Sequence, residues 1–225
     1  MKGYVSTRFN FGYRFFPKVA STSIKSALLA LDGQNTLAGG DENKNAHQRA
    51  SKQVRQINDC ERRFIVVRDP VKRFLSAYSN RVGYHQELNK ESLRRHLPVA
   101  SHFLPCNPSL DQFIRHFKQY SKVSTIKHHS KPMSSWLVGN DLGFFTDVYK
   151  IEELDKFEQD LSNLCGQKVK FPHKQKGGKK ITVASLNKSQ LKFLLSFYRK
   201  DYELLSDYYT EEMVWDEWQL LQNNK

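Results

Sequence analysis

Twice in this chain an apolar strand runs into a short polar turn and then into residues at helical spacing. That unit limits the possible folds more than any other feature. The first unit spans Arg14–Leu31. Tyr13–Phe16 reads as a short buried strand, and Ile24, Ala27, Leu28 and Leu31 then recur with the helical period. The second spans Arg63–Asn80, with Arg63–Val67 apolar and β-branched at its centre. Asp69 suits a helix N-cap and Pro70 the first helical turn, after which Val71, Phe74, Leu75 and Tyr78 form one apolar face.

The remaining pattern extends this alternation. Ser109–Tyr120 reads as helical and Phe145–Ile151 as a third strand. Leu154, Phe157, Leu161 and Leu164 make a helical stripe that Gly166 can terminate. Leu191, Leu194, Leu195, Tyr198, Tyr202 and Leu205 read as one amphipathic helix. Strands alternating with helices predict an α/β fold with a largely parallel sheet. A length of 225 residues suits a single domain covering 1–225.

Hydrophobic content is only 39%, but the apolar residues are grouped in periodic segments and 15 Phe and 10 Tyr supply bulk for a core, which argues against disorder. The cysteines Cys60, Cys106 and Cys165 are odd in number and widely spaced. They suggest neither a disulfide framework nor a zinc cluster, so free thiols in a reducing compartment are expected. Met1–Asn10 lacks the apolar core of a signal peptide, and no stretch approaches the roughly 18 apolar residues of a membrane span. The expectation is a cytoplasmic protein. The formal net charge of +13 points to an anionic partner: a phosphorylated cofactor, an acidic polysaccharide, nucleic acid or an anionic membrane.

The two turns supply chemistry. In Pro17-Lys18-Val19-Ala20-Ser21-Thr22-Ser23 a helix start offers backbone N–H groups and partial positive charge to an anion. Ala20 and Ser21 are small enough for close backbone approach, Ser21, Thr22 and Ser23 add hydroxyls, and Lys18 adds a cation. The Gly-x4-Gly-Lys-Ser/Thr order of a Walker A loop is absent. An ordinary capped turn fits this segment equally well. In the second unit Arg68 lies at a strand end, where its guanidinium can fork onto a phosphate, and Ser76 lies two turns into the helix. The competing reading makes Arg68 and Asp69 an ion pair and Ser76 a solvated helix residue.

Together, PKVASTS and RDPVKRFLSAY resemble the 5′-phosphosulfate-binding and 3′-phosphate-binding motifs of sulfotransferases that use 3′-phosphoadenosine-5′-phosphosulfate (PAPS). The similarity is greatest to family 2, the branch containing carbohydrate sulfotransferases. Ser109–Phe117, His129-Ser130-Lys131-Pro132, Val148–Leu154 and Tyr198–Asp201 with Tyr202 extend it from about Arg14 to Tyr208. The resemblance implies a P-loop-like three-layer domain with a central, mostly parallel sheet flanked by helices. It also implies that Lys18, Ala20 and Ser21–Ser23 hold the 5′-phosphosulfate while Arg68 and Ser76 hold the 3′-phosphate, the product being 3′-phosphoadenosine-5′-phosphate. Met133 departs from the Gln of many relatives, and lysine-rich Phe171–Lys180 matches a His-x-Asn pattern only at His173.

Sulfuryl transfer needs positive charge at the leaving phosphate, which Lys18 can supply, and a base for the acceptor hydroxyl. The sequence shows no metal-ligand cluster, and the expected reaction uses no metal. Histidine titrates near neutrality, and His47 lies in the segment where related carbohydrate enzymes place their catalytic histidine. His129 is second, as a base or as a substrate or cofactor contact, and an Asp or Glu base stays open. The acceptor is expected to be a sugar hydroxyl, alternatively that of a small metabolite, with residues 81–145 shaping its site. A P-loop kinase would need a Gly-Lys-Ser/Thr cradle that is missing. A basic nucleic-acid-binding module would explain the charge and Lys168–Lys180, but no nucleic-acid motif accompanies them.

Overall fold

A computed structural model describes residues 1–33, 48–137, 141–172 and 177–224. Its strands are β1 (Lys2–Ser6), β2 (Phe11–Arg14), β3 (Val54–Gln56), β4 (Arg62–Val67) and β5 (Asp147–Lys150). Its α-helices include α1 (Ser21–Leu31), α2 (Pro70–Tyr78), α3 (Lys90–His96), α4 (Leu110–Arg115), α5 (Phe117–Tyr120) and α6 (Ser124–Ser130). Further along are α7 (Leu154–Cys165), α8 (Lys188–Phe197), α9 (Arg199–Leu204) and α10 (Glu211–Asn223). The chain forms two compact units, Met1–Arg68 with Leu137–Lys176, and Asp69–Trp136 with Gly177–Lys225.

The first unit is α/β. Its sheet has the order β3-β1-β2-β4-β5. β2, β4 and β5 run parallel, whereas β1 is antiparallel to both β2 and β3. The sheet is therefore mixed, and its parallel part is the β2–β4–β5 half. The short link between β1 and β2 permits only an antiparallel pair, while α1 lies in the crossover that a parallel β2–β4 pair needs. β2 starts and ends two residues earlier than the sequence pattern places it, because its ladder to β4 runs from Phe11 opposite Arg62 to Arg14 opposite Ile65. Phe64 to Val67 are all buried, as a strand covered on both faces requires. Phe64, Tyr13 and Tyr149 meet Phe157 of α7 at ring separations of 5.4, 5.7 and 4.6 Å. Gly166 ends α7 with φ of 63°, the left-handed conformation that favours glycine.

The second unit is built from helices around Phe74, which lies 5.5 Å from Phe113 and 5.2 Å from Phe117. Ser109 and Gln112 form a capping box on α4. The helix expected over Ser109–Tyr120 divides at His116 into α4 and α5. The single helix expected through Leu191–Leu205 likewise divides at Tyr198, whose φ and ψ of −100° and 15° separate α8 from α9. All six stripe residues are buried all the same. No described helix is long and apolar enough to cross a membrane.

Candidate active site

The turn between β2 and α1 has an unusual backbone. Lys18 and Ala20 both take positive φ, 68° and 58°, in a region L-residues occupy at a cost of about 1–2 kcal/mol. Alternation of this kind turns successive amides toward one side, which is how a backbone concavity for an anion is made. Ala20 is the N-cap of α1 and makes no side-chain capping bond, so the cap does not compete for the amides at the helix start. Thr22 and Ser23 are buried, and Ser21, Lys18 and Ala20 are half-buried. The Ile24 amide donates to the Ala20 carbonyl at 3.1 Å, which begins the regular helix.

Arg68 follows β4, and its Nη1 donates to the Lys18 carbonyl at 2.9 Å. The structure thus brings together five of the residues expected at the 5′-phosphosulfate (Lys18, Ala20, Ser21, Thr22, Ser23) and the arginine expected at the 3′-phosphate. Two further cations belong to the same unit. Lys25, one turn along α1 from Ser21, lies 4.6 Å above the Phe15 ring, and burial pushes its ammonium down to about 8. Arg14 at the end of β2 lies 5.6 Å from the Phe16 ring and donates to the Lys2 carbonyl at 2.7 Å, and burial also lowers its pKa. Neither residue figures in the sequence-level site, because only the fold shows that they line a cavity.

In the second unit α2 starts as its sequence dictates. Asp69 accepts from the Lys72 amide at 2.8 Å and Pro70 occupies the first turn. Ser76 is half-buried on α2. Burial raises the Asp69 carboxyl above its usual range, partly offset by the Lys72 amide and by Tyr202, whose hydroxyl donates to it at 3.0 Å. Arg73, fully buried, donates to the carbonyls of Lys131 and His129 at 2.6 and 3.3 Å and lies 3.9 Å from the equally buried Asp201. Asp201 accepts from the amides of Met133 and Ser134 at 2.7 and 2.8 Å, and Tyr198 donates to the Ser130 carbonyl. The segments His129–Pro132 and Tyr198–Tyr202, matched in sequence only by type and order, are thus a brace on α2. Met133 takes part in that brace through its backbone amide.

His129 is half-buried near the end of α6, beside the ring of His128 at 5.0 Å. His47 and His173 lie outside the described residues, as do residues 34–47 and 173–176 generally. Tyr84, within the 81–145 segment expected to shape the acceptor site, is 60% exposed. Among the described residues no group of three or more His, Cys, Asp or Glu could hold a metal ion.

The β2–turn–α1 unit, with Lys18 and Ala20 at positive φ and Arg68 bonded to the Lys18 carbonyl, presents a helix start at the carboxyl end of a parallel strand, a geometry suited to an anion. A model described as the sulfotransferase family matches residues 3–209, nearly the whole chain. The protein belongs to the family 2 sulfotransferases and is a sulfuryl-transferring enzyme. No curated protein and no solved structure matches it.

Proposed function

We propose that the enzyme moves the sulfuryl group of PAPS to a carbohydrate hydroxyl by in-line transfer. The observation that carries this reading is the turn between β2 and α1, with Lys18 and Ala20 at positive φ and Arg68 bonded to the Lys18 carbonyl. A turn so built suits the 5′-phosphosulfate, with the α1 amides and the Ser21, Thr22 and Ser23 hydroxyls as donors. The sequence motif assigns Arg68 and Ser76 to the 3′-phosphate.

In the reaction the acceptor oxygen forms a new O–S bond while the bridging S–O bond of the phosphosulfate breaks. The electron pair of that bond leaves on the phosphate of 3′-phosphoadenosine-5′-phosphate, and the acceptor proton goes to a base. Lys18 stabilises the charge that grows on the leaving phosphate. A histidine is the base in this reading, His47 first and His129 second. The cysteines Cys60, Cys106 and Cys165 are free thiols, which supports a cytoplasmic setting.

Transfer of labelled sulfate from PAPS tests the assignment. Lys18→Ala is expected to lower kcat by about 100-fold or more with little change in donor affinity, the loss typical of a transition-state contact. Arg68→Ala is expected to raise the KM for PAPS about tenfold, as loss of a charge-assisted hydrogen bond does. Because Arg68 also holds the Lys18 carbonyl, its loss lowers kcat as well. Equal and minor effects from both variants would refute the reading.

A further inference from the structure

The second unit has a cavity of its own, of about 470 Å³, among α5, α6 and α8. Phe117 and Phe197 give it rings, and Lys122 and Lys127 give it cations. None of its lining residues is acidic. The core stripe of α8 is Leu191, Leu194 and Leu195, all buried, so Phe193 and Phe197 belong to a second face. They stay 41% and 37% exposed, stack on each other at 6.3 Å, and meet the edge of Phe117 at 6.5 and 5.2 Å. One exposed aromatic residue is ordinary, whereas a pair one helical turn apart beside a cavity forms an apolar patch.

The cations frame that patch. Lys122 lies in the three-residue link between α5 and α6, and Lys127 lies one turn into α6. Both are exposed, and among the described residues neither takes part in an ion pair. Ser130 and Lys131 complete the wall, where α6 ends. A helix end carries partial negative charge, but here the Ser130 carbonyl accepts from the Tyr198 hydroxyl and the Lys131 carbonyl from the Arg73 guanidinium. The brace on α2 therefore offsets the charge that would oppose an anion.

Whole small-molecule ligands fill pockets of about 300–1,000 Å³, and this volume falls in that range. Its rings favour an apolar body and its lysines an anionic head. We propose that the cavity binds a small amphiphilic carboxylate, with the apolar chain against Phe117 and Phe197 and the carboxylate at Lys122 and Lys127. The described lining includes none of the residues assigned to PAPS, so the inference does not rest on the sulfuryl-transfer reading.

The test is calorimetric titration of octanoate, hexanoate and octan-1-ol into the full chain. Octanoate is expected to bind about tenfold more tightly than hexanoate, the effect of burying two more methylenes. It is expected to bind about threefold to tenfold more tightly than octan-1-ol, the size of one or two exposed ion pairs. The double variant Lys122→Gln with Lys127→Gln is expected to lose the advantage over octan-1-ol, and the corresponding double Arg variant to keep it. Both positions are exposed, so urea midpoints of the variants should match the wild type. No binding of octanoate, equal binding of octanoate and hexanoate, or an advantage that survives the double Gln variant overturns the site. Displacement of octanoate by saturating 3′-phosphoadenosine-5′-phosphate also overturns it, because octanoate would then occupy the donor site. Lysine-dependent co-sedimentation with phosphatidylglycerol vesicles, without binding of free octanoate, overturns it in favour of a membrane-facing patch.

Discussion

An ammonium packed over a phenylalanine ring loses part of its hydration, and the cost falls on the charged form. Lys25 is in that position, and its folded-state pKa drops from 10.5 to about 8. The unfolded chain therefore binds more protons than the folded one between those values, so this residue makes stability rise with pH across that window. Lys25→Met removes the dependence. Relative to the variant, the wild type is expected to gain stability from about pH 8 to 9.5, measured by urea unfolding at each pH. A constant difference would show that Lys25 is as well hydrated as a surface lysine. At this scale the sequence displays residue types but not backbone angles. The small and hydroxyl residues of Pro17–Ser23 suit an anion turn and an ordinary capped turn equally, and the positive φ of Lys18 and Ala20 cannot be read from residue type, since neither is a glycine. Lys25 reads simply as a polar member of a helix face.

Helix α2 shows what sequence reveals about an element and what it conceals. Its start was legible because Asp69 and Pro70 act on their own next few residues. Its anchorage was not, because Arg73, His129, Lys131 and Asp201 come from distant segments. An arginine in a helical pattern reads as solvated, yet Arg73 is fully buried and its neighbours supply a carboxylate and two carbonyls. Asp201→Ala leaves the buried guanidinium without its carboxylate and frees two amides, a loss expected to cost about 3–5 kcal/mol. Tyr202→Phe, which removes one hydrogen bond to Asp69, is expected to cost about 1 kcal/mol. Denaturant midpoints measure both, and equal small effects would mean the brace carries no weight. The break at Tyr198 escaped the pattern because α8 and α9 keep one apolar stripe across it. Gly178 is a further contact of this kind. It has φ of 95°, and a Cβ there would lie 2.5 Å from the Ser79 hydroxyl, so the segment after residue 176 can pass the π-helical turn Ser79–Tyr84 only with glycine.

The whole chain combines a partly parallel sheet, legible through β2, β4 and β5, with two strands that the sequence conceals. β1 contains a glycine and a lysine among its five residues, and β3 is three exposed residues, so neither shows an apolar alternation. What composition did show is a charge of +13. That charge acts on every anion approaching the protein, before any contact forms, and salt screens it over a Debye length of about 10 Å at 0.1 M and about 3 Å at 1 M. PAPS is strongly anionic, so its capture should benefit from the long-range field, whereas the transfer step in the bound complex should not. Raising NaCl from about 0.05 to 0.5 M is therefore expected to lower kcat/KM for PAPS about tenfold while changing kcat less than about twofold. Steady-state rates at several salt concentrations measure both quantities. A kcat/KM independent of salt would mean that the surplus charge does not assist the donor. A parallel fall in kcat would place the screened interaction within the bound complex, at cations such as Lys18 and Arg68.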